Sequence, residues 1–160
     1  MDEFQARRLV EVYADMILRI SYQYLQQTQD AEDLCQTVFL KYLTANCSFD
    51  SIEHEKAWLI RTTINACKDH LKSAYRRKTV PLEDASRLAA PLVPENDLME
   101  AIRCLPEIYR VILHLYYYEG YSTREIGAVM GKSEANITMY LSRGRKKLRT
   151  ILTEEGRQIV

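Results

Sequence analysis

Apolar residues recur along the first half of this chain at the three- and four-residue spacing of an α-helix. Three such stripes follow one another, separated by short polar stretches. They are Leu9, Val12, Tyr13, Met16, Ile17, Ile20 and Tyr24; Ala31, Leu34, Cys35, Val38, Phe39 and Tyr42; and Ala57, Ile60, Ile64, Cys67 and Leu71. Asp30 is the predicted N-cap of the second helix, and the polar segment 46–55 is predicted to be a loop. Three amphipathic helices with short connections predict a small bundle.

The periodicity stops at residue 79 and resumes near residue 97. Pro81, Pro91 and Pro94 fall in this interval. Proline removes a backbone donor and restricts the residue before it, so the interval is predicted to be a linker between domains. Beyond it, Pro106 suits the first turn of a helix whose stripe is Ile108, Val111, Ile112 and Leu115. The pattern predicts an all-α fold with a helical domain at 1–78, a linker at 79–96 and a second helical domain at 97–153.

The segment from residue 122 to residue 148 carries the sharpest local signals. Ser122 and Glu125 have the spacing of a capping box, which starts a helix. Gly131 can end that helix in the left-handed conformation, and Ser133 can cap the next one. Gly127 lies inside the first helix, where it is explicable if the two helices cross closely. The second helix is expected to bury Ile137, Leu141 and Leu148. Two short helices around a glycine turn predict a helix-turn-helix.

The second helix of such a motif enters the major groove of DNA by its N-terminal half. The candidate contacts there are Lys132, Ser133, Glu134, Asn136, Thr138, Met139 and Tyr140. Asn136 can bridge an adenine edge, and Thr138 and Met139 can touch a thymine methyl group. Farther along the helix, Arg143, Arg145 and Lys146 are expected to follow the phosphates. A plain helical hairpin with a basic surface is the simpler alternative.

The formal net charge is zero, but the charge is unevenly distributed. Residues 132–160 carry seven basic and three acidic side chains, whereas residues 80–131 carry four basic and eight acidic ones. A second basic cluster comprises Lys68, Lys72, Arg76, Arg77 and Lys78. Two separated basic clusters can each attract phosphate, although either one can also be a solvated helix face.

Composition and motifs exclude several other functions. The four cysteines form no C-x-x-C pair and the three histidines show no ligand spacing, so no metal or cofactor is expected. No signal peptide or membrane-spanning window is present, which favours the cytoplasm. Cys35, Cys67 and Cys104 are expected to be buried, leaving Cys47 in the loop. Without a phosphate-binding glycine loop or a supported nucleophile, no enzyme activity is expected. The short tail after the last predicted helix leads us to expect no further regulatory domain.

Two segments resemble one protein family. The motif G-Y-S-T-R-E-I-G-x-x-M-G-K-S-x-x-N-I-x-x-x-L-x-R-G-R-K-K-L, with L-P-E-I-Y-R before it, resembles region 4 of bacterial sigma factors. The D-A-E-D-L segment at 30–34, with Gln36, Phe39, Trp58-Leu59, Ile64-Asn65 and Arg76-Arg77, is similar to region 2 of the extracytoplasmic-function group. The resemblance covers 8–78 and 97–152, in the expected order.

The resemblance implies a role for particular residues. Asp33, Gln36 and Thr37 match the positions that bind the clamp helices of core RNA polymerase. Asn46, Ser48 and Phe49 match the loop that captures a flipped base of the minus-ten element, although Phe49 can instead belong to the core. The minus-ten strand is matched by Asn65, Lys68, Asp69, Lys72, Arg76 and Arg77. Trp58 is expected to pack in the core rather than act as a melting wedge.

The implied function is that of an alternative sigma factor, which binds core RNA polymerase and directs promoter recognition, DNA melting and transcription initiation. Its implied partners are the polymerase, promoter DNA and an anti-sigma factor, with neither a small-molecule substrate nor membrane insertion. The competing hypothesis is a free-standing helix-turn-helix transcription regulator, whose N-terminal bundle would serve dimerisation or bind another protein. A dimer interface is apolar at its centre, whereas Asp33 and Gln36 suggest a polar, specific protein contact.

Overall fold

The computed structural model describes the backbone of residues 3–76 and 97–159, and the side chains of 3–75 and 98–153. Within these ranges all regular structure is helical, which confirms the predicted all-α class. The chain divides into two compact units, Met1–Leu92 and Val93–Val160. The predicted linker at 79–96 lies outside the described residues.

The N-terminal unit is a bundle of three helices that pack against one another in every pairing: α1 (Glu3–Leu25), α2 (Thr28–Thr44) and α3 (Ile52–Arg76). The predicted stripes supply most of its core, including Leu9, Tyr13, Ile17, Ile20, Ala31, Leu34, Val38, Ile60 and Ile64. Val12 was expected in the first stripe but is 54% exposed, since it lies on the outward side of α1. Phe39 and Tyr42, at the end of the second stripe, are half-buried.

Two boundaries in this unit differ from the expectation. The N-cap of α2 is Gln27 rather than Asp30, and its side chain makes no capping hydrogen bond. Gln26 takes a positive φ of 56°, which turns the chain within two residues of α1 and lets α2 start early. The predicted loop at 46–55 is shorter, because Ser51 accepts a hydrogen bond from the backbone N–H of His54 and caps α3.

The C-terminal unit contains α4 (Asp97–Arg103), α5 (Glu107–Leu113), a π-helical segment (His114–Tyr118), α6 (Thr123–Met130) and α7 (Glu134–Ile159). Pro106 precedes α5 as its N-cap instead of occupying the first turn. The core of this unit comprises Ala101, Leu105, Val111, Ile112, Leu115, Ile126, Val129, Ile137 and Leu141. The predicted core positions Ile108 and Leu148 are half-buried.

The helix-turn-helix has the local geometry that its sequence predicts. Ser122 and Glu125 form a reciprocal capping box at the start of α6. Gly131 ends α6 with a φ of 69°, in the left-handed region. Ser133 then accepts a hydrogen bond of 3.1 Å from the backbone N–H of Asn136, at the start of α7. Each signal acts within three residues, so the turn is determined locally.

Gly127 allows the turn to close against α6. A Cβ atom built there would lie 2.5 Å from the backbone oxygen of Lys132, in the turn itself. The close neighbour is therefore the turn backbone, rather than a crossing helix as the sequence suggested. Moreover, the Lys132 N–H donates to the Gly127 carbonyl at 2.9 Å, which holds the two segments together.

We expect Gly127→Ala to lower the free energy of unfolding of the C-terminal unit by about 2 kcal/mol, because a rigid backbone must move. Gly144→Ala is the matched control, since its Cβ would meet a Tyr109 ring carbon at 3.3 Å and a side chain can shift. Urea denaturation followed by far-ultraviolet circular dichroism measures both. Equal losses in the two variants would contradict the close approach.

The cysteines only partly follow the expectation. Cys35 and Cys67 are buried, and burial raises the pKa of Cys35 to about 11, which disfavours the reactive thiolate. Cys47 is exposed in the loop between α2 and α3, as expected. Cys104 was expected to be buried and is exposed, because it lies in the turn after α4, where its N–H donates to Ala101.

Candidate nucleic-acid interface

One face of α2 carries the residues predicted to bind polymerase. Asp33, Gln36 and Thr37 are all exposed, opposite the buried stripe of this helix. The backbone carbonyl of Asp33 accepts a hydrogen bond of 3.1 Å from the Thr37 hydroxyl. Leu40 continues the same face one turn later and is 62% exposed. The sequence analysis missed Leu40, although its spacing of seven residues from Asp33 is a visible signal.

One face of α3 gathers the residues predicted to follow the minus-ten strand. Asn65, Asp69 and Lys72 are exposed and Lys68 is half-buried, at helical spacing along one side. Arg76 ends the helix, with its side chain outside the described part; Arg77 is outside the described residues altogether. Arg61 was not predicted, but it is exposed four residues before Asn65 and extends this face toward the N-terminus of α3.

In the loop between α2 and α3 the predicted polar residues are exposed, whereas the aromatic residue packs against its neighbours. Asn46 and Ser48 are exposed, whereas Phe49 is half-buried. The Phe49 ring stacks on Tyr42 at 5.8 Å and meets the edge-on rings of Trp58 at 5.8 Å and His54 at 5.2 Å. Phe49 therefore fits neither a fully exposed base-capturing residue nor a core residue. Its ring is packed in an aromatic cluster at the surface. Trp58 is half-buried in the same cluster, which fits its expected packing role.

A buried carboxylate lies directly beneath this cluster. Glu55, only 6% exposed, accepts hydrogen bonds of 2.7 Å from the hydroxyls of Tyr13 and Tyr42. Arg8 donates to both of its oxygens, at 3.0 and 2.9 Å. These four bonds join α1, the last turn of α2 and the first turn of α3. We name Glu55, Arg8, Tyr13 and Tyr42 the Glu55 cluster.

The protonation states in the Glu55 cluster follow from its contacts. Burial works to raise the pKa of Glu55, but the hydrogen bonds from Tyr42, Tyr13 and Arg8 outweigh it and hold that pKa below its ordinary value. Burial and the bond to Glu55 raise the pKa values of Tyr13 and Tyr42 to about 12. At neutral pH the cluster is therefore a carboxylate with neutral phenols and a guanidinium.

The predicted DNA-contacting residues of α7 divide between an outward stripe and two flanks. Asn136, Met139, Arg143 and Lys146 step by three and four residues along the side opposite the buried Ile137 and Leu141. Asn136, Arg143 and Lys146 are exposed and Met139 is half-buried. We call these four residues the outward stripe. Ser142 is exposed between its members and was not predicted.

On one flank of the outward stripe, side chains are tied to α6 and to the π-helical segment. Glu134 accepts a hydrogen bond of 3.1 Å from the Thr123 hydroxyl, and Thr138 donates to the Glu134 carbonyl at 3.0 Å. Arg145 lies over the rings of Tyr116 and Tyr117, at 5.5 and 5.4 Å from their centroids, and also donates to the Tyr117 hydroxyl. Arg145 thus combines its charge with a structural contact that the sequence did not reveal.

On the other flank, two tyrosines and two lysines alternate. The Tyr140 ring packs edge-on against Tyr109 of α5 at 5.8 Å. The ammonium groups of Lys132 and Lys147 each lie 5.7 Å from a ring centroid, over Tyr140 and Tyr109 respectively. Lys132, Ser133 and Tyr140 therefore border the outward stripe rather than continue it.

The two units correspond to two consecutive parts of one family. Residues 9–77 match the model of Sigma-70 region 2, and residues 95–148 match that of Sigma-70 region 4. One similar protein is the ECF RNA polymerase sigma factor SigE of Mycolicibacterium smegmatis, 30% identical over 92% of this chain and 62% of SigE. Another is the ECF RNA polymerase sigma factor SigW of Bacillus subtilis, 27% identical over 91% of this chain and 88% of SigW. The chain thus spans less than two thirds of SigE but most of SigW.

Solved structures share the fold. The sigma factor RpoE of Bartonella quintana, in complex with the anti-sigma factor NepR, has a TM-score of 0.73 and 21% identity, covering 96% of this chain and 98% of RpoE. CnrH, in complex with the cytosolic domain of CnrY, has a TM-score of 0.66 and 22% identity, covering 96% of this chain and 90% of CnrH.

These matches, in the order region 2 then region 4, settle the family. The chain belongs to the sigma-70 family of RNA polymerase sigma factors, in its extracytoplasmic-function (ECF) group. None of the described helices has both the length and the apolarity needed to cross a membrane. Among the described residues, no group of three His, Cys, Asp or Glu side chains is placed to hold a metal ion.

Proposed function

We propose that this chain is an alternative sigma factor, which binds core RNA polymerase and directs promoter recognition, DNA melting and transcription initiation. The observation that carries the proposal is the pairing of two family regions, each with its own exposed face. The region 2 unit presents the α2 face, the α3 face and the loop with Asn46, Ser48 and Phe49. The region 4 unit presents the outward stripe of α7.

Each face has chemistry suited to its proposed target. The outward stripe offers an amide at Asn136 for a base edge and two cations at Arg143 and Lys146 for phosphates. On α3, Lys68 and Lys72 provide charge, and Asn65 and Asp69 provide hydrogen-bonding groups for an unpaired strand. Under this proposal the chain is not an enzyme, since strand separation is driven by the free energy of base capture. We propose a cytoplasmic location, because the proposed polymerase partner acts there.

The competing function is a free-standing helix-turn-helix regulator that uses the N-terminal bundle as a dimer interface. The α2 face argues against it, because Asp33, Gln36 and Thr37 are polar and exposed near the middle of α2, where a stable dimer needs an apolar centre. Membership of the sigma-70 family also argues against a free-standing regulator.

We expect Asp33→Ala/Gln36→Ala to weaken binding to bacterial core RNA polymerase about tenfold, because both side chains lie on the proposed contact face. Size-exclusion chromatography of the chain with the polymerase, followed by titration of a labelled chain, measures this change. Glu3→Ala/Glu11→Ala is the control. It also removes two exposed polar side chains, both of them carboxylates, but from α1 instead of α2. Failure of the unaltered chain to co-elute, together with tight binding of free DNA, would favour the free-standing regulator.

The proposal includes an anti-sigma factor as a further partner. Members of the ECF group are commonly held inactive by such a protein, and the resemblance extends this expectation to the present chain. We infer that such an inhibitor binds the α2 face and competes there with polymerase. Leu40 and Leu43, 62% and 49% exposed near the end of α2, are apolar positions that a protein partner can cover.

A further inference from the structure

We propose that Glu55 is a positioning residue for base capture: through its hydrogen bond to Tyr42 it fixes the aromatic platform that holds Phe49 and the loop between α2 and α3. The inference rests on the proposed function, because it concerns the unpaired base that this loop is proposed to receive. It adds a buried group that touches neither DNA nor polymerase.

The first step of the argument is the position of the Glu55 cluster beside the loop. Tyr42 belongs to the last turns of α2 and Glu55 to the first turn of α3, so their 2.7 Å hydrogen bond closes the base of the loop. Arg8 and Tyr13 tie the same carboxylate to α1. The loop is thus closed on a support that involves all three helices of the unit.

The second step is the orientation of the Tyr42 ring. Its hydroxyl is held by Glu55, and its ring stacks on Phe49 at an interplanar angle of 24° and meets Trp58 nearly at right angles. A phenol held at its hydroxyl keeps its ring in one place, so the surface under Phe49 is rigid. Phe49 directly follows Ser48, so an anchored Phe49 ring limits the conformations open to the loop.

The third step is what the loop leaves exposed. With Phe49 anchored, Asn46 and Ser48 remain exposed as polar groups for the edge of an unpaired nucleobase. A loop ordered before binding loses less conformational entropy when the base arrives. The Glu55–Tyr42 hydrogen bond should therefore strengthen capture and sharpen base discrimination, although neither residue contacts the base.

A matched pair of variants separates positioning from stability. Tyr42→Phe and Tyr13→Phe each remove one 2.7 Å hydrogen bond to Glu55 and leave an aromatic ring in place. Tyr42 stacks on Phe49, whereas Tyr13 belongs to the core on α1. Because Tyr13 is the more buried of the two, Tyr13→Phe is a stringent control for lost stability.

The experiment uses holoenzyme assembled from the full chain and core RNA polymerase. Its probe is a fluorescein-labelled single-stranded minus-ten oligonucleotide from a promoter selected with that holoenzyme, and a series with each base changed in turn. We expect Tyr42→Phe to bind the matched oligonucleotide about tenfold more weakly and to lose discrimination at one position. Tyr13→Phe should stay within twofold of the unaltered chain.

Each other outcome has a defined meaning. Equal losses in the two variants, or no loss in either, overturn the positioning role while leaving the sigma-factor function intact. A uniform loss across the whole base series in Tyr42→Phe also overturns it, because positioning must act on discrimination. If the unaltered chain forms no holoenzyme, the proposed function fails instead.

Discussion

Replacing Glu55 by alanine should lower the free energy of unfolding of the N-terminal unit by about 3 kcal/mol. The substitution leaves the hydroxyl of the buried Tyr13 and that of the half-buried Tyr42 without their acceptor. Arg8, with 41% of its side chain exposed, can turn to water, so most of the loss comes from the tyrosines. Urea denaturation followed by the fluorescence of Trp58, the single tryptophan of the chain, reports on this unit alone.

The matched control for this prediction is Glu53→Ala. Glu53 lies in the same first turn of α3 but is exposed, so its loss should cost only a few tenths of a kcal/mol. Tyr13→Phe removes one bond of the cluster and should cost about 1 kcal/mol. Similar losses for Glu55→Ala and Glu53→Ala would show that the cluster does not stabilise the fold.

The same cluster gives the N-terminal unit a defined dependence on pH. The pKa of Glu55 is lower in the folded state than in the unfolded chain. The stability that Glu55 contributes is therefore fully present above its pKa in the unfolded chain, and it is lost as the pH falls through its pKa in the folded state. The pKa values of Tyr13 and Tyr42 are raised from 10.0 to about 12, so their contribution is complete below pH 10 and is lost as the pH rises toward 12. Glu55→Gln should remove the loss of stability at acidic pH that is due to protonation of Glu55.

The sequence predicted the helix-turn-helix well because its signals are local. Ser122 bonds within three residues of itself, as does Ser133, and Gly131 needs only its own φ. The apolar stripes likewise predicted the three helices of the first unit, since helical periodicity is visible over a few turns. The boundary of α2 was predicted wrongly because a single residue with a positive φ decides where that helix starts.

The Glu55 cluster could not be predicted because its contacts are distant in the chain. Glu55 bonds to partners 13, 42 and 47 residues away. In the sequence it directly follows His54 and lies two positions after Glu53, in a polar stretch that was predicted to be a loop. No local feature separates the buried glutamate from the exposed one. The contact between Arg145 and Tyr117 was not predicted for the same reason, because 28 residues separate the two in the chain.

Only some of the residues that the sequence predicts to contact DNA lie on one common side of α7. Helical spacing places Asn136, Met139, Arg143 and Lys146 on one side, whereas Glu134 is bonded to Thr123 and Tyr140 packs on Tyr109. Residues already engaged with the protein are poorer readers of DNA, since a base contact must displace an existing one. Sequence-dependent contacts should therefore concentrate on the outward stripe.

We expect Asn136→Ala to weaken binding of the holoenzyme to its best minus-thirty-five duplex about 30-fold, or about 2 kcal/mol, because the proposed bidentate contact to a base edge is lost. The loss should be confined to sequences that carry the preferred base pair at one position, which abolishes discrimination there. Fluorescence anisotropy across a set of singly changed duplexes measures both effects. An equal loss on every duplex would mean that Asn136 does not read a base.

Lys146→Ala is the matched control on the same stripe, because a phosphate contact carries no sequence information. It should weaken binding to all duplexes by a similar factor and reduce the slope of log affinity against log salt by about 1. Arg145→Ala should change that slope less, since its guanidinium is held over Tyr116 and Tyr117 on the flank. The larger slope change expected for Lys146→Ala than for Arg145→Ala follows from the direction of each side chain around α7. Neither the charge count nor the family resemblance supplies that direction.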